Sequence, residues 1–147
     1  NLRILSGFYG ILKPLDGVVP YRLEMQSKFI NYKNKDLYEY WADKIANSLF
    51  EETNLIINLA YKEYSKCVEK YLKNSPSTKF ITCVFGEIKG DKVIEKGTLA
   101  KMARGEMVRY LAQNKICDLE GLKRFDKLEY KYSQEKSNEK TYVFIKS

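Results

Sequence analysis

The sequence has 147 residues, a length at which one hydrophobic core can bury roughly 68–70% of the surface of the unfolded chain. It is 44% hydrophobic and 31% charged, with 12 Tyr and 7 Phe, which excludes a disordered chain and predicts a single folded domain over residues 1–147. The net charge of +7 favours polyanionic partners such as nucleic acid, although a solvated lysine-rich surface would give the same sum.

The first predicted elements are two short helices joined by a tight turn. Apolar residues stand at helical spacing over residues 2–5, and the sequence Ser-Gly-Phe-Tyr-Gly at 6–10 closes this helix. A second short helix follows within 11–16. Residues 1–16 are therefore the candidate for a helix–hairpin–helix element. Because the sequence starts at Asn1, already inside the first predicted helix, we expect it to be a fragment of a longer protein.

An irregular stretch and a polar turn at 31–36 precede the clearest helix of the chain. Asp36 is a candidate N-cap with Glu39 at capping-box spacing, and apolar residues recur every fourth position to about Glu52. The remaining elements are expected in the following order: a strand at 55–59, a helix at 61–72, a strand at 79–89, a turn at 89–92 into a strand at 93–94, a helix at 98–114, a helix at 119–125, and a hairpin of 130–132 with 142–145.

The composition also limits the chemistry that the chain can perform. Without His, nucleophile chemistry that depends on an imidazole base is excluded. The three cysteines are far apart and odd in number, so neither a disulfide framework nor a zinc site is expected, and we predict no metal and no cofactor. No apolar run reaches a membrane span of about 18 residues, and no signal-peptide pattern is present, which predicts a cytoplasmic protein without membrane contact.

Several motifs in a fixed order give the sequence a specific resemblance. They are Asn1–Asp16, Pro20–Met25, Asp36–Asp43, Ile57–Ala60, Glu63–Tyr64, Val84–Phe85, and Ala100–Lys101 with Ala103–Gly105. In these segments the chain resembles the C-terminal part of the YaaA peroxide-stress family over nearly its whole length. It departs from the family pattern at Tyr61-Lys62 and at Lys101-Met102, and it lacks the N-terminal region that carries the family's Ser-Pro-Ala-Lys motif.

The resemblance implies a fold and a function. The fold would be α/β (α+β) of the YaaA type, a mixed sheet with flanking helices and an embedded helix–hairpin–helix. The function would be double-stranded DNA binding without sequence specificity in the response to peroxide, by a protein that is monomeric at full length. If the N-terminal region completes the sheet, an unpaired strand edge or an apolar face is expected near Ile56–Leu59.

The turn at 6–10 is the first candidate phosphate site. Gly7 and Gly10 would let a phosphate approach the backbone N–H groups of a helix start, and Ser6 and Lys13 would add donors. Such contacts would ignore base sequence. The alternative is structural, with Gly7 as a helix C-cap and Gly10 as a packing glycine.

The second candidate is the helix at 98–114. Lys101 and Arg104 are neighbours on its surface and would form a basic edge opposite Ala103 and Met107. Gly105 costs this helix about 1 kcal/mol relative to Ala, which suggests that a packed neighbour or a ligand approaches the backbone there. The alternative for the two cations is a solvated helix face.

The third candidate is the pair Arg22 and Glu24, two residues apart on one face of an extended segment. The pair could hold a phosphate beside a general acid or base, or it could be a buried ion pair. The first possibility keeps open an alternative function, an enzyme acting on a nucleotide or modified base in a basic cleft. If there is one cleft, Lys13, Arg22, Lys101 and Arg104 should lie on one connected face.

A set of aromatic residues could either pack in the core or stack on bases, and we favour the core. Its members are Phe8, Tyr9, Tyr21, Trp41 and Tyr64.

Overall fold

The computed structural model describes residues 2–27 and 35–147. In chain order the elements are β1 (Ile4–Ser6), β2 (Gly10–Leu12), α1 (Leu37–Trp41), α2 (Lys44–Glu52), β3 (Leu55–Asn58), α3 (Lys62–Glu69), β4 (Lys79–Lys89), β5 (Lys92–Ile94), α4 (Gly97–Gln113), α5 (Leu119–Lys123), β6 (Tyr130–Tyr132) and β7 (Thr141–Lys146). The chain divides into two compact units, which are Asn1–Ile56 with Ala60–Phe80, and Ile57–Leu59 with Ile81–Ser147.

The N-terminal segment is a β-hairpin and corrects the expectation of a helix–hairpin–helix in residues 1–16. β1 and β2 pair antiparallel, with Ile4 opposite Leu12 and Ser6 opposite Gly10. Short apolar runs fit a strand as well as a helix, so their spacing does not decide between the two. Gly10 has a φ of +74°, which ends any helical path through the turn.

Contacts with α1 fix this hairpin in the first unit. The Trp41 indole Nε1 donates a hydrogen bond of 2.9 Å to the carbonyl oxygen of Gly7. A Cβ at Gly10 would lie 2.8 Å from the Trp41 ring, so the ring packs directly on the glycine backbone. Leu5 and Ile11 pack against the buried core of this unit, which contains Met25, Leu37, Ile45, Ala46, Leu49, Cys67 and Val68.

The helix expected over 36–52 is two helices, α1 and α2. Asp36 caps α1 as predicted, because its Oδ1 accepts a 2.9 Å hydrogen bond from the backbone N–H of Glu39. The Glu39 carboxylate accepts from the backbone N–H of Lys35, the residue before the cap. The chain then turns at Ala42, whose φ of +45° is left-handed, and α2 begins two residues later. The predicted polar turn at 31–36 lies largely outside the described residues.

The second unit is built on a mixed sheet in the order β3-β4-β7-β6, with β5 paired to β4. β7 runs parallel to β4, with Thr82 opposite Thr141, and β6 and β5 pair antiparallel with their neighbours. β3 ends the strand order and pairs with β4 alone among the strands within residues 2–27 and 35–147, and the unpaired edge expected near Ile56–Leu59 stays a prediction. The predicted α/β class, a mixed sheet flanked by helices, is confirmed.

Aromatic rings form the core of the second unit. Phe85 of β4 stacks on Phe144 of β7 at 5.1 Å between ring centroids, and Phe125 meets both edge-on. All three side chains are buried. Burial of each ring contributes about 1.5–3 kcal/mol, and each ring pair about 0.5–1.5 kcal/mol more.

Within the described ranges, none of the helices is long and apolar enough to cross a membrane.

We expect Gly10→Val to destabilise the first unit by about 2–5 kcal/mol, because a β-branched residue is strained at positive φ and its side chain would overlap the Trp41 ring. Thermal unfolding followed by circular dichroism measures this loss. Gly17→Val is the matched control, since a Cβ at Gly17 has no neighbour within 4 Å. Equal melting temperatures for the two variants would contradict the packing of Trp41 on Gly10.

Candidate nucleic-acid interface

The polar groups of the N-terminal turn face the protein interior. Ser6, Gly7 and Gly10 are all buried. The Ser6 hydroxyl accepts a 2.9 Å hydrogen bond from the backbone N–H of Tyr9 and shares a hydrogen with the Tyr21 hydroxyl across 2.5 Å. A Cβ at Gly7 would lie 2.8 Å from the backbone oxygen of Leu23. These contacts are those of packing glycines, and the turn is not a helix start that presents free N–H groups to a phosphate.

Two cations near the hairpin are open to solvent. Lys13 and Arg22 are both exposed, and neither has a carboxylate within 4.0 Å among the described residues. Glu24 is exposed as well, so the pair Arg22 and Glu24 is not a buried ion pair. Lys13 and Arg22 can therefore reach a phosphate with little rearrangement.

The basic edge of α4 contains one accessible cation and one that is paired. Lys101 is exposed, whereas the Arg104 side chain retains 15% of its exposure and forms a 2.9 Å salt bridge with Glu95. The same Glu95 oxygen accepts from the backbone N–H of Phe85 at 3.4 Å. Arg104 therefore ties α4 to the segment after β5, and a phosphate would have to compete with Glu95 for it.

The sequence-predicted cations are divided between the two units. Lys13 and Arg22 belong to the first, Lys101 and Arg104 to the second. The single connected face stays a prediction.

Gly105 has no packed neighbour in this structure. It is exposed on α4, and a Cβ there would have no atom within 4 Å apart from the helix itself. The packed neighbour is therefore not found among the described residues, and a ligand at Gly105 stays a prediction.

Gly105→Ala should stabilise the second unit by about 0.5–1 kcal/mol, because Ala is the better helix former and the added methyl meets no atom. Urea unfolding at equilibrium measures the difference. A loss of stability would show that the glycine is required by the fold itself.

The sequence reasoning overlooked a row of lysines on and just after α3. We call it the lysine row: Lys62, Lys66, Lys70 and Lys73. The spacing of four residues places Lys62, Lys66 and Lys70 on one side of α3 and its C-cap, and Lys73 follows in the next short turn. All four lysines are exposed. None has a carboxylate within 4.0 Å in the part of the chain that is described. The spacing of these lysines is visible in the sequence and could have identified the row.

Two aromatic rings position part of the lysine row. The Lys66 Nζ lies 4.8 Å from the centroid of the Tyr38 ring, and the Lys70 Nζ lies 5.5 Å from that of Tyr71. Such cation–π contacts stabilise by about 0.5–1 kcal/mol at exposed sites and leave the ammonium hydrogens free to donate. A cleft of about 220 Å³ beside these rings is lined by two lysines of the row, Lys66 and Lys70, and by two carboxylates, Asp36 and Glu39, so its own charges are balanced. An anion would therefore bind where the lysines of the row face solvent.

The aromatic set divides between the core and the surface. Trp41 and Tyr64 pack against the core of the first unit, as favoured from the sequence. Phe8 and Tyr21 are exposed and form a ring cluster with Tyr9, with centroids 4.9–5.6 Å apart.

Two of the three thiols are buried. Burial raises the pKa of Cys67 to about 11 and that of Cys83 to about 12, so both are protonated at neutral pH. Cys117 is exposed.

Among the residues that the structure describes, no three Asp, Glu or Cys side chains are grouped as a metal site would require.

Because a thiolate is the reactive form, we expect a disulfide reagent at pH 8 to label one thiol per native chain, Cys117, and three in denaturant. Counting the released chromophore gives both numbers. Rapid labelling of all three thiols in the native chain would contradict the burial of Cys67 and Cys83.

Comparison with known proteins identifies the family. The family described as "Peroxide stress protein YaaA" matches residues 1–136. A "UPF0246 protein" of Lachnoclostridium phytofermentans is 59% identical over 99% of this chain and 56% of its own length. Relatives in Desulfitobacterium hafniense and Agathobacter rectalis are 53% and 55% identical over 100% and 98% of this chain. The chain belongs to the YaaA peroxide stress protein family, and it spans less than three fifths of the length of these relatives.

Proposed function

We propose that this chain binds the phosphate backbone of double-stranded DNA without sequence preference, in the cytoplasm, as part of the response to peroxide. The family name supports the link with peroxide. The observation that carries the DNA part is the lysine row on and just after α3, supported by the net charge of +7. Lys13, Arg22 and Lys101 would add further phosphate contacts, since all three are exposed.

The geometry of the lysine row suits a phosphate backbone. Residues four apart in a helix are about 6 Å apart along its axis. Duplex DNA carries one negative charge per roughly 1.7 Å of its axis, so each ammonium group of such a row can find a phosphate. Ammonium–phosphate contacts position a protein on DNA and carry no sequence information. No described contact favours the alternative enzyme, in which Glu24 would act as acid or base.

The test removes the first three lysines of the row. In Lys62→Ala/Lys66→Ala/Lys70→Ala, we expect weaker binding of every duplex and a salt dependence, d log K/d log [salt], that is less steep by about 3 units. Fluorescence anisotropy with two unrelated duplexes at several salt concentrations measures both effects.

The matched control loses three lysines that already have carboxylate partners. Lys123, Lys127 and Lys136 pair with the neighbouring Glu120, Asp126 and Glu135. The triple Ala variant of these positions has the same net charge as the test variant. We expect its salt dependence to stay near that of wild type. If the control variant loses as much duplex affinity and salt dependence as the test variant, binding depends on net charge and not on the lysine row. If the wild-type chain binds no duplex, the proposed function is wrong.

A further inference from the structure

A loop in the first unit exposes aliphatic side chains that a folded protein usually covers. In residues 13–21, Leu15 is 98% exposed, Val18 55% and Val19 63%. Phe8 and Tyr21 are 54% and 42% exposed. We call these five residues the apolar patch. Single exposed apolar residues are common, but five in one short region indicate a binding surface.

Hydrogen bonds hold the backbone of this loop in place. Asp16 accepts from the backbone N–H of Lys13 at 2.7 Å, and its own N–H donates to the Lys13 carbonyl at 3.1 Å. The backbone N–H of Val19 donates to the Tyr9 hydroxyl at 3.0 Å, and the Tyr21 hydroxyl is bonded to Ser6. The loop is thus shaped before any partner arrives, which lowers the entropic cost of binding.

The chemistry of the patch indicates which partner fits it. Leu and Val side chains have no flat face on which a base could stack, so a nucleic-acid base suits only Phe8 and Tyr21. Between these aliphatic residues the loop carries a single charge, Asp16. An apolar surface of this kind with few charges matches the apolar side chains of another polypeptide.

The relatives show where such a polypeptide is available. This chain spans 56% of the Lachnoclostridium phytofermentans protein and 58% of that from Desulfitobacterium hafniense, so roughly two fifths of each lies outside the match. We propose that the apolar patch is the docking surface for that additional part of a YaaA-family chain. The patch then becomes part of a core shared by the two parts. This assignment is independent of DNA binding.

The test measures whether the added segment covers Leu15. In the chimera, this chain replaces the matching region of the Lachnoclostridium phytofermentans protein. Leu15→Cys is introduced in a Cys117→Ser background, so that the only exposed thiol is the new one. We expect a maleimide to react at least about tenfold more slowly with the chimera than with the 147-residue chain. Asp91→Cys, in the exposed turn between β4 and β5, is the control and should react at the same rate in both forms.

Several outcomes would overturn the proposal. One is an equal reaction rate of Leu15→Cys in the two forms. Another is protection of Leu15→Cys by added oligonucleotide but not by the added segment, which would assign the patch to nucleic acid. A dimer of both forms that Leu15→Asp/Val19→Asp dissociates would assign the patch to a second copy. A chimera in which Cys67 and Cys83 become reactive has not accepted the segment and also counts against the proposal.

Discussion

The packing of Trp41 on the N-terminal hairpin is the contact on which the first unit depends. The indole N–H bonds the Gly7 carbonyl, and the ring covers the bare backbone of Gly10. On the other side of the turn, Gly7 lies against the Leu23 backbone. The hairpin, Leu23 and Trp41 therefore meet at Gly7 and Gly10, two residues without a side chain. This junction anchors both ends of the exposed loop after β2, which includes Lys13 and leads to Arg22.

The same junction explains why the N-terminal motif was misinterpreted. From the sequence, Gly7 and Gly10 resemble the glycines of a phosphate-binding turn, because phosphate binding and close packing both require a residue without a side chain. In this structure the groups that approach the two glycines are the Trp41 ring and the Leu23 carbonyl. Both lie outside the local sequence of the turn, so no local pattern predicts them. The two glycines of the family motif in this segment are accordingly determinants of the fold, whereas Lys13 of the same motif is exposed and is one of the proposed phosphate contacts.

Much of the remaining structure follows from local patterns. The strands at 55–58 and 79–89 and the helix at 97–113 lie within a residue of their predicted bounds. The first is a short apolar run, and the other two have a longer apolar pattern. The break at Ala42 was not predictable, since positive φ at an Ala is imposed by its surroundings. Arg104 was expected at the surface as a phosphate ligand, and its partner Glu95 is nine residues away, beyond the reach of helical spacing.

The position of β7 in the sheet has a consequence for the order of folding. This strand lies between β4 and β6, yet it follows both of them in the chain. On the ribosome, β4 and β6 therefore emerge before the strand that joins them exists. Phe85 can stack on Phe144 only after β7 has been synthesised. Until then, the edge of β4 that pairs with β7 can pair with any other extended segment. The second unit consequently has a vulnerable interval during synthesis, which ends when residues 141–146 leave the exit tunnel.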